Sequence, residues 1–192
     1  VSGGLHGVGA SVVNALSSHM EVLVRQGGKI YQQEYKRGKI LYDLRVIGET
    51  DETGTTVRFW PDIKGADNPD GIFEEDAVFR FDTLQGRIRE MAFLNKGIRL
   101  DITDERVEPE ESRSYHYEGG IVEFVKYINK NRSPLFEEPI YTEGLKNDIA
   151  VEVALQYNDS FNENTYAFAN NVRTPEGGTH LAGFYAALTR AI

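Results

Sequence analysis

Val1-Ser-Gly-Gly-Leu-His-Gly-Val-Gly-Ala-Ser-Val-Val-Asn-Ala-Leu-Ser17 is the stretch on which the reading turns. It places four glycines, Gly3, Gly4, Gly7 and Gly9, in its first nine positions. An apolar helical stripe of Val8, Val12 and Leu16, with Ala15 beside it, follows at once. Residues without a Cβ let backbone N–H groups approach a ligand closely. A helix starting near Val8 adds unpaired N–H groups and the positive end of a dipole. Loop and helix together suit an anion, most naturally phosphate. The glycine pattern alone leaves a second reading open, a flexible connector into an ordinary core helix.

Two common phosphate motifs are excluded. No Lys-Ser/Thr pair follows the last glycine, so this is not a Walker A loop. The glycines run G-x-x-G-x-G from Gly4, which is not the G-x-G-x-x-G dinucleotide fingerprint.

Working outward, 192 residues at 40% hydrophobic and 11% aromatic content allow a packed core, as one large domain or two modest ones. No apolar run is long enough to span a bilayer. Without cysteine, disulfides and thiolate metal sites are ruled out. His6, His19, His116 and His180 show no metal-ligand spacing, so no protein-bound metal is expected. A formal net charge of −9 argues against broad contact with a phosphate backbone, although it does not fix how charge is distributed.

Glu21–Arg25 and Ile30–Tyr35 flank Gly27-Gly28 and read as a β-hairpin. Leu41–Ile47 is a weaker strand candidate, and Thr55–Trp60 a strong one ending at Pro61. Lys64–Glu75 reads as a surface loop. Asp82–Asn95 reads as a helix capped by Asp82 or Thr83, and Ile98–Thr103 as a strand. The charge-dense Asp104–Glu118 reads as a solvated excursion. Ile121, Phe124, Val125 and Ile128 form a helical stripe. Val151 to Tyr157 alternates as a half-buried strand, Thr165–Asn170 reads as another, and a last helix faces inward through Leu181, Phe184, Tyr185 and Leu188. A boundary is placed at Glu118-Gly119, giving segments 1–118 and 119–192.

The whole opening string from Ser2 to Ser17 resembles the end of the ATP lid and the following helix in the B-type ATPase subunits of bacterial type IIA topoisomerases, above all the gyrase B family. These belong to the GHKL superfamily of gyrase, heat-shock chaperone, histidine kinase and mismatch-repair ATPases. Further stretches resemble the same family in order: Thr53–Pro61, Arg87–Gly97, Tyr115–Ile121 and Glu176–Phe184. The resemblance implies an α/β (α+β) fold. Residues 1–118 would be the C-terminal part of a GHKL α/β-sandwich ATPase domain. Residues 119–192 would begin a transducer domain like ribosomal protein S5 domain 2.

The resemblance also implies ATP and Mg2+ as cofactors. Its cofactor-binding positions are Gly4, Leu5, His6, Gly7, Val8 and Gly9, whose main-chain N–H groups would hold the β- and γ-phosphates, with His6 acting through its amide. Thr55 would fix adenine, directly or through water; a hydroxyl both donates and accepts. Gln26 aligns with an arginine that touches aminocoumarin drugs in the family, and Arg25 lies one residue earlier. The family's general-base glutamate, magnesium-holding asparagine and adenine-binding aspartate lie upstream of the lid, and its transducer lysine lies downstream. No catalytic residue or metal ligand is therefore expected within this chain, and Glu49, Glu52, Glu105 and Glu118 match none of them.

The expectation is an internal piece of a longer protein, since it begins at Val1 and stops in a helical pattern. Implied partners are a second B-type protomer in an ATP-dependent dimer, the gyrase A protein in an A2B2 heterotetramer, and double-stranded DNA through the holoenzyme. No membrane is implied, and the setting is the bacterial cytoplasm. Two alternatives stand beside gyrase: a topoisomerase IV B-type ATPase, which decatenates and relaxes, and a non-catalytic nucleotide-gated dimerisation module.

Overall fold

Gly27 and Gly28 both adopt positive φ, +60° and +78°, in the computed structural model, which describes residues 7–192. A two-residue turn with both residues left-handed matches the twist of the strands it joins. It connects β1 (Ser17–Gln26) to β2 (Lys29–Lys36), with Gln26 opposite Lys29 and Met20 opposite Tyr35. A second tight turn through Arg37 and Gly38, φ +48° and +77°, leads to β3 (Lys39–Ile40). β4 (Arg45–Glu49) also pairs with β2, and β5 (Gly54–Pro61) pairs with β1. All the pairings are antiparallel, and the order is β3-β2-β1-β5. α1 (Gly9–Ala15) precedes β1. The strand expected at Leu41–Ile47 is displaced to Arg45–Glu49, because Tyr42 turns back and its hydroxyl donates to Glu34 Oε1 at 2.7 Å.

These elements belong to one compact unit, which ends at Val78; a second runs from Phe79 to Ile192. The second unit holds α2 (Phe81–Leu94), β6 (Arg99–Asp104), β7 (Glu111–His116) and α3 (Ile121–Asn129). It continues with β8 (Ile140–Lys146), β9 (Ile149–Leu155), β10 (Phe168–Ala169), β11 (Val172–Arg173) and α4 (Thr179–Ala191). Its core is aromatic. Phe93 stacks on Tyr117 with ring centroids 3.6 Å apart, and Phe124 lies 5.2 Å from Phe93 and 5.3 Å from Tyr166. The Glu118-Gly119 junction read from the sequence thus lies inside this unit, bridged by Phe93 against Phe124 and by Arg89 against the Tyr127 hydroxyl.

Several expectations change. α2 starts at Phe81, with Arg80 at the N-cap and no side-chain cap, so neither Asp82 nor Thr83 caps it. Asp82 sits in the first turn instead, where its charge favours the helix dipole and accepts from Gln85 Nε2 at 3.0 Å. The charged 104–118 stretch is no simple excursion: β7 pairs along β6 from Asp104↔Glu111 to Arg99↔His116. At the turn between them, the Arg106 guanidinium and backbone N–H push the Asp104 carboxyl down to about 2. Of Thr165–Asn170 only Phe168–Ala169 pairs as strand. The half-buried face of β9 is confined to its end, since Val151 is exposed while Val153 and Leu155 are half-buried. In α4, Leu181, Phe184 and Leu188 are half-buried and Tyr185 is exposed.

Among the described residues β5 pairs with β1 on one side only and forms an edge of its sheet, with Val57 and Trp60 about half exposed. An apolar edge strand is a template for pairing with another chain. Residues 1–192 expressed alone are therefore expected to self-associate, as light scattering would report. A sharp, reversible, concentration-independent melt of a monomer would contradict this.

Candidate functional site

Of the seven positions expected to touch nucleotide, Gly4, Leu5 and His6 lie outside the described residues. Gly7, Val8, Gly9 and Thr55 can be placed. Gly7 adopts φ +65°, a conformation that costs a side-chain-bearing residue and suits glycine. Among the described residues, a Cβ added at Gly7 or Gly9 would meet no heavy atom within 4 Å beyond the adjoining residues and the helix's own backbone, so on that side the space in front of this backbone is open. Val8 is the N-cap of α1 and provides no side-chain hydrogen bond, and the first turn carries no acidic residue. The first i→i−4 bond is Val12 N–H to Val8 O, 2.9 Å. The amides of Gly9, Ala10 and Ser11 thus have no partner within the helix, and no carboxylate in the first turn offsets the positive end of its dipole. This arrangement fits a polyphosphate.

Thr55 lies on β5 opposite Val24, seven residues along β1 from Ser17. It is exposed, and its hydroxyl makes no hydrogen bond to a described residue. Its neighbour Thr56 differs, because its Oγ1 accepts from Arg25 Nη1 at 3.0 Å. Strand residues alternate faces. Val22, Val24 and Gln26 on β1 share the face of Thr55 and Val57, while Leu23 and Arg25 share the opposite face with Thr56. Gln26 therefore lies on the Thr55 side. Arg25 points away, held by Thr56 and by Glu52 at 3.7 Å. The side chain expected next to a ligand on this face is Gln26, and the register decides between two positions that the sequence left unresolved. The structure places the glycine-led helix at the start of β1 and Thr55 opposite Val24 towards the other end of that strand.

A residue without any motif around it organises the other end of α1. Asp62, directly after β5, has a fully buried carboxylate. Arg37 Nε lies 2.7 Å from Asp62 Oδ2, an ionic contact without hydrogen-bond alignment, and Arg37 Nη2 donates to Oδ1 at 3.1 Å. Asn68 Nδ2 donates to the same Oδ1 at 2.9 Å. The Arg37 guanidinium, then Asn68, hold the Asp62 carboxyl below the ordinary carboxylate range against the opposing effect of burial. An aspartate after Trp-Pro, next to a Gly/Asn/Asp-rich loop, is the one signal for it in the sequence.

No helix among the described residues is long and apolar enough to cross a membrane. Nor does any group of three or more His, Asp or Glu side chains among them suit a metal ion.

The fold places the chain with the ATPase domains of gyrase-type proteins. It superposes on the 43K ATPase domain of Thermus thermophilus gyrase B, solved with an aminocoumarin, at TM-score 0.80 and 33% identity, covering 97% of this chain and 49% of that one. The gyrase B protein of Myxococcus xanthus matches at TM-score 0.78 and 25% identity, covering 91% of this chain and 49% of that one. The DNA gyrase B family model matches residues 120–192. The DNA gyrase B protein of Streptococcus pneumoniae serotype 4 is 55% identical over all 192 residues, which cover 28% of that protein. The Bacillus mycoides protein of the same name is 54% identical over the same span, 46% of its length. The chain belongs to the DNA gyrase B family. It spans between about a quarter and a half of the relatives and structures it matches.

Proposed function

We propose that this chain is part of the ATP-binding subunit of a type II DNA topoisomerase, a gyrase, in which ATP binding and hydrolysis are coupled to strand passage and negative supercoiling. The observation that carries the proposal is the glycine-led start of α1, open and uncapped among the described residues, with the Thr55 hydroxyl, which bonds no described residue, on the exposed sheet face. In this reading the amides around Gly7–Gly9 orient the β- and γ-phosphates through backbone hydrogen bonds and the helix field. Thr55 orients the adenine end. Magnesium, where bound, offsets phosphate charge; this chain's described residues serve to bind and orient the nucleotide.

The domain division at 118/119 belongs to the same proposal, with 1–118 as the later ATPase domain and 119–192 as the start of the transducer. The family-model match beginning at residue 120 supports it. The partners follow from the family: a second gyrase B protomer closed by ATP, the gyrase A protein in an A2B2 assembly, and duplex DNA held by the holoenzyme in the bacterial cytoplasm. The names of the relatives favour gyrase over topoisomerase IV.

Thr55→Val tests the adenine contact, because valine keeps the β-branched shape and removes only the hydroxyl. In the full-length protein it should weaken binding of a non-hydrolysable ATP analogue roughly tenfold, as the loss of one ligand hydrogen bond does, with the melting temperature unchanged. Unaltered affinity would remove Thr55 from the site. Holoenzyme reconstituted with gyrase A should supercoil relaxed plasmid when given ATP; relaxation without negative supercoiling would favour topoisomerase IV.

A further inference from the structure

α1 buries none of its residues, and Val8 and Val12 are about half exposed, so side-chain packing within this unit does little to fix it. Its exit is held instead by three backbone hydrogen bonds from two places far along the chain. Arg37 N–H donates to Ser17 O at 2.9 Å, Gly38 N–H to Asn14 O at 3.1 Å, and Asp62 N–H to Leu16 O at 3.0 Å. The two residues that anchor this clamp, Arg37 from the β2–β3 turn and Asp62 from the end of β5, are tied to each other by an ion pair whose carboxylate is buried and whose guanidinium is partly exposed.

The clamp is also strapped to the loop that follows. Arg37 Nη2 donates to Asn68 Oδ1 at 3.0 Å and to Asp70 O at 3.2 Å. Ile72 and Phe73 N–H both donate to Asp62 O, at 2.7 and 2.9 Å. Arg37 holds its place at a conformational cost, since φ +48° is unfavourable for a residue with a Cβ and the turn would accept glycine or asparagine more readily. A strained backbone position maintained by a specific side-chain contact points to a requirement beyond turn formation.

The geometry points to Arg37 and Asp62 as positioning residues: their ion pair fixes the exit of α1 and, through that short helix, the placement of the Gly7–Gly9 backbone. This rests on the phosphate-binding reading of that backbone proposed above. Neither residue touches nucleotide in this scheme. They act through α1, whose seven residues form a rigid lever of roughly 10 Å.

The test uses the full-length protein. Removing Arg37 alone strands a buried carboxylate and invites unfolding, so the informative variant is the double substitution Arg37→Gly with Asp62→Asn. It removes both charges, relieves the left-handed strain and leaves an amide that can still accept from Asn68. Binding of a non-hydrolysable ATP analogue is measured by calorimetric titration below the melting temperature of every variant, beside a Gly9→Val control. The double variant is expected to bind roughly tenfold more weakly, as the loss of one hydrogen bond to a charged group does, while its melting temperature stays within a few degrees of the parent. Unchanged affinity in the double variant, with binding lost in Gly9→Val, overturns the positioning role. Unchanged affinity in both overturns the phosphate-binding reading and the positioning role with it. An affinity loss that appears only alongside a collapse in melting temperature reduces the pair to a structural element and also overturns the proposal.

Discussion

Phe93→Ala is expected to destabilise the second unit by about 3–5 kcal/mol, the usual cost of emptying a buried aromatic site. Phe93 is 2% exposed, and its neighbour Ala92 is fully buried. Its ring stacks on Tyr117 and lies 5.2 Å from Phe124 and 5.5 Å from Tyr127, so three aromatic partners lose contact together. Burial here is deep enough to push the Tyr117 phenol up. The surroundings cannot close the gap cheaply, because Phe124 is itself held by Tyr166 and Phe168 on its far side. In the full-length protein the unfolding transition of this unit should move down by roughly 10 °C or more. Phe93→Leu, which retains most of the volume, should cost much less. A midpoint within a degree or two of the parent for Phe93→Ala would show that the ring cluster is not the core of this unit.

That core shows which parts of the fold are legible in the sequence. α3 is legible because its apolar stripe is a local pattern: Phe124 lies at the centre of the stripe and is buried. The β1–β2 hairpin is legible because Gly27-Gly28 supplies the two left-handed residues that its turn requires. β7 is hidden by its own composition. Glu111, Ser112, Arg113 and Ser114 look solvated, and in β7 Tyr115 is the only buried residue. The strand is sustained by pairing across a short turn with β6, including Thr103 Oγ1 with Ser112 Oγ at 2.9 Å, which its polar, charged composition masks. β8 escapes the sequence reading although a signal exists: Asn147-Asp148, φ +51° and +62°, is a left-handed pair that closes a hairpin onto β9.

The candidate site divides in the same way. A glycine loop leading into a helix is contiguous and can be proposed from the string alone. Whether Gln26 or Arg25 faces the ligand depends on the register against β5, about thirty residues away, and one residue of slip reverses the answer. Arg37 and Asp62 are 25 residues apart, and neither belongs to a recognisable motif. Their relation exists only once β2 and β5 have both paired with β1.

Gly9→Val offers the largest functional effect together with a small structural one. Gly9 is the first residue of α1 and lacks the positive φ of Gly7, so a side chain can adopt its backbone conformation. Among the described residues, a Cβ there would meet no heavy atom within 4 Å beyond the adjoining residues and the helix's own backbone. Valine is also a better helix former than glycine, by a few tenths of a kcal/mol. The folded protein should therefore melt at or slightly above the parent temperature. Binding should respond quite differently. The open space in front of Gly9 is where phosphate oxygens must come within about 3 Å of the helix amides to accept hydrogen bonds. Two methyl groups in that space hold the phosphates off, and the loss of one or two hydrogen bonds to a charged group, about 1.5–3 kcal/mol each, costs about a hundredfold. Titration with a non-hydrolysable ATP analogue should show at least that loss, and ATP-dependent supercoiling by the reconstituted holoenzyme should fall with it. A stably folded Gly9→Val variant that binds the analogue as tightly as the parent would mean that the open start of α1 faces solvent and that the phosphates are held elsewhere.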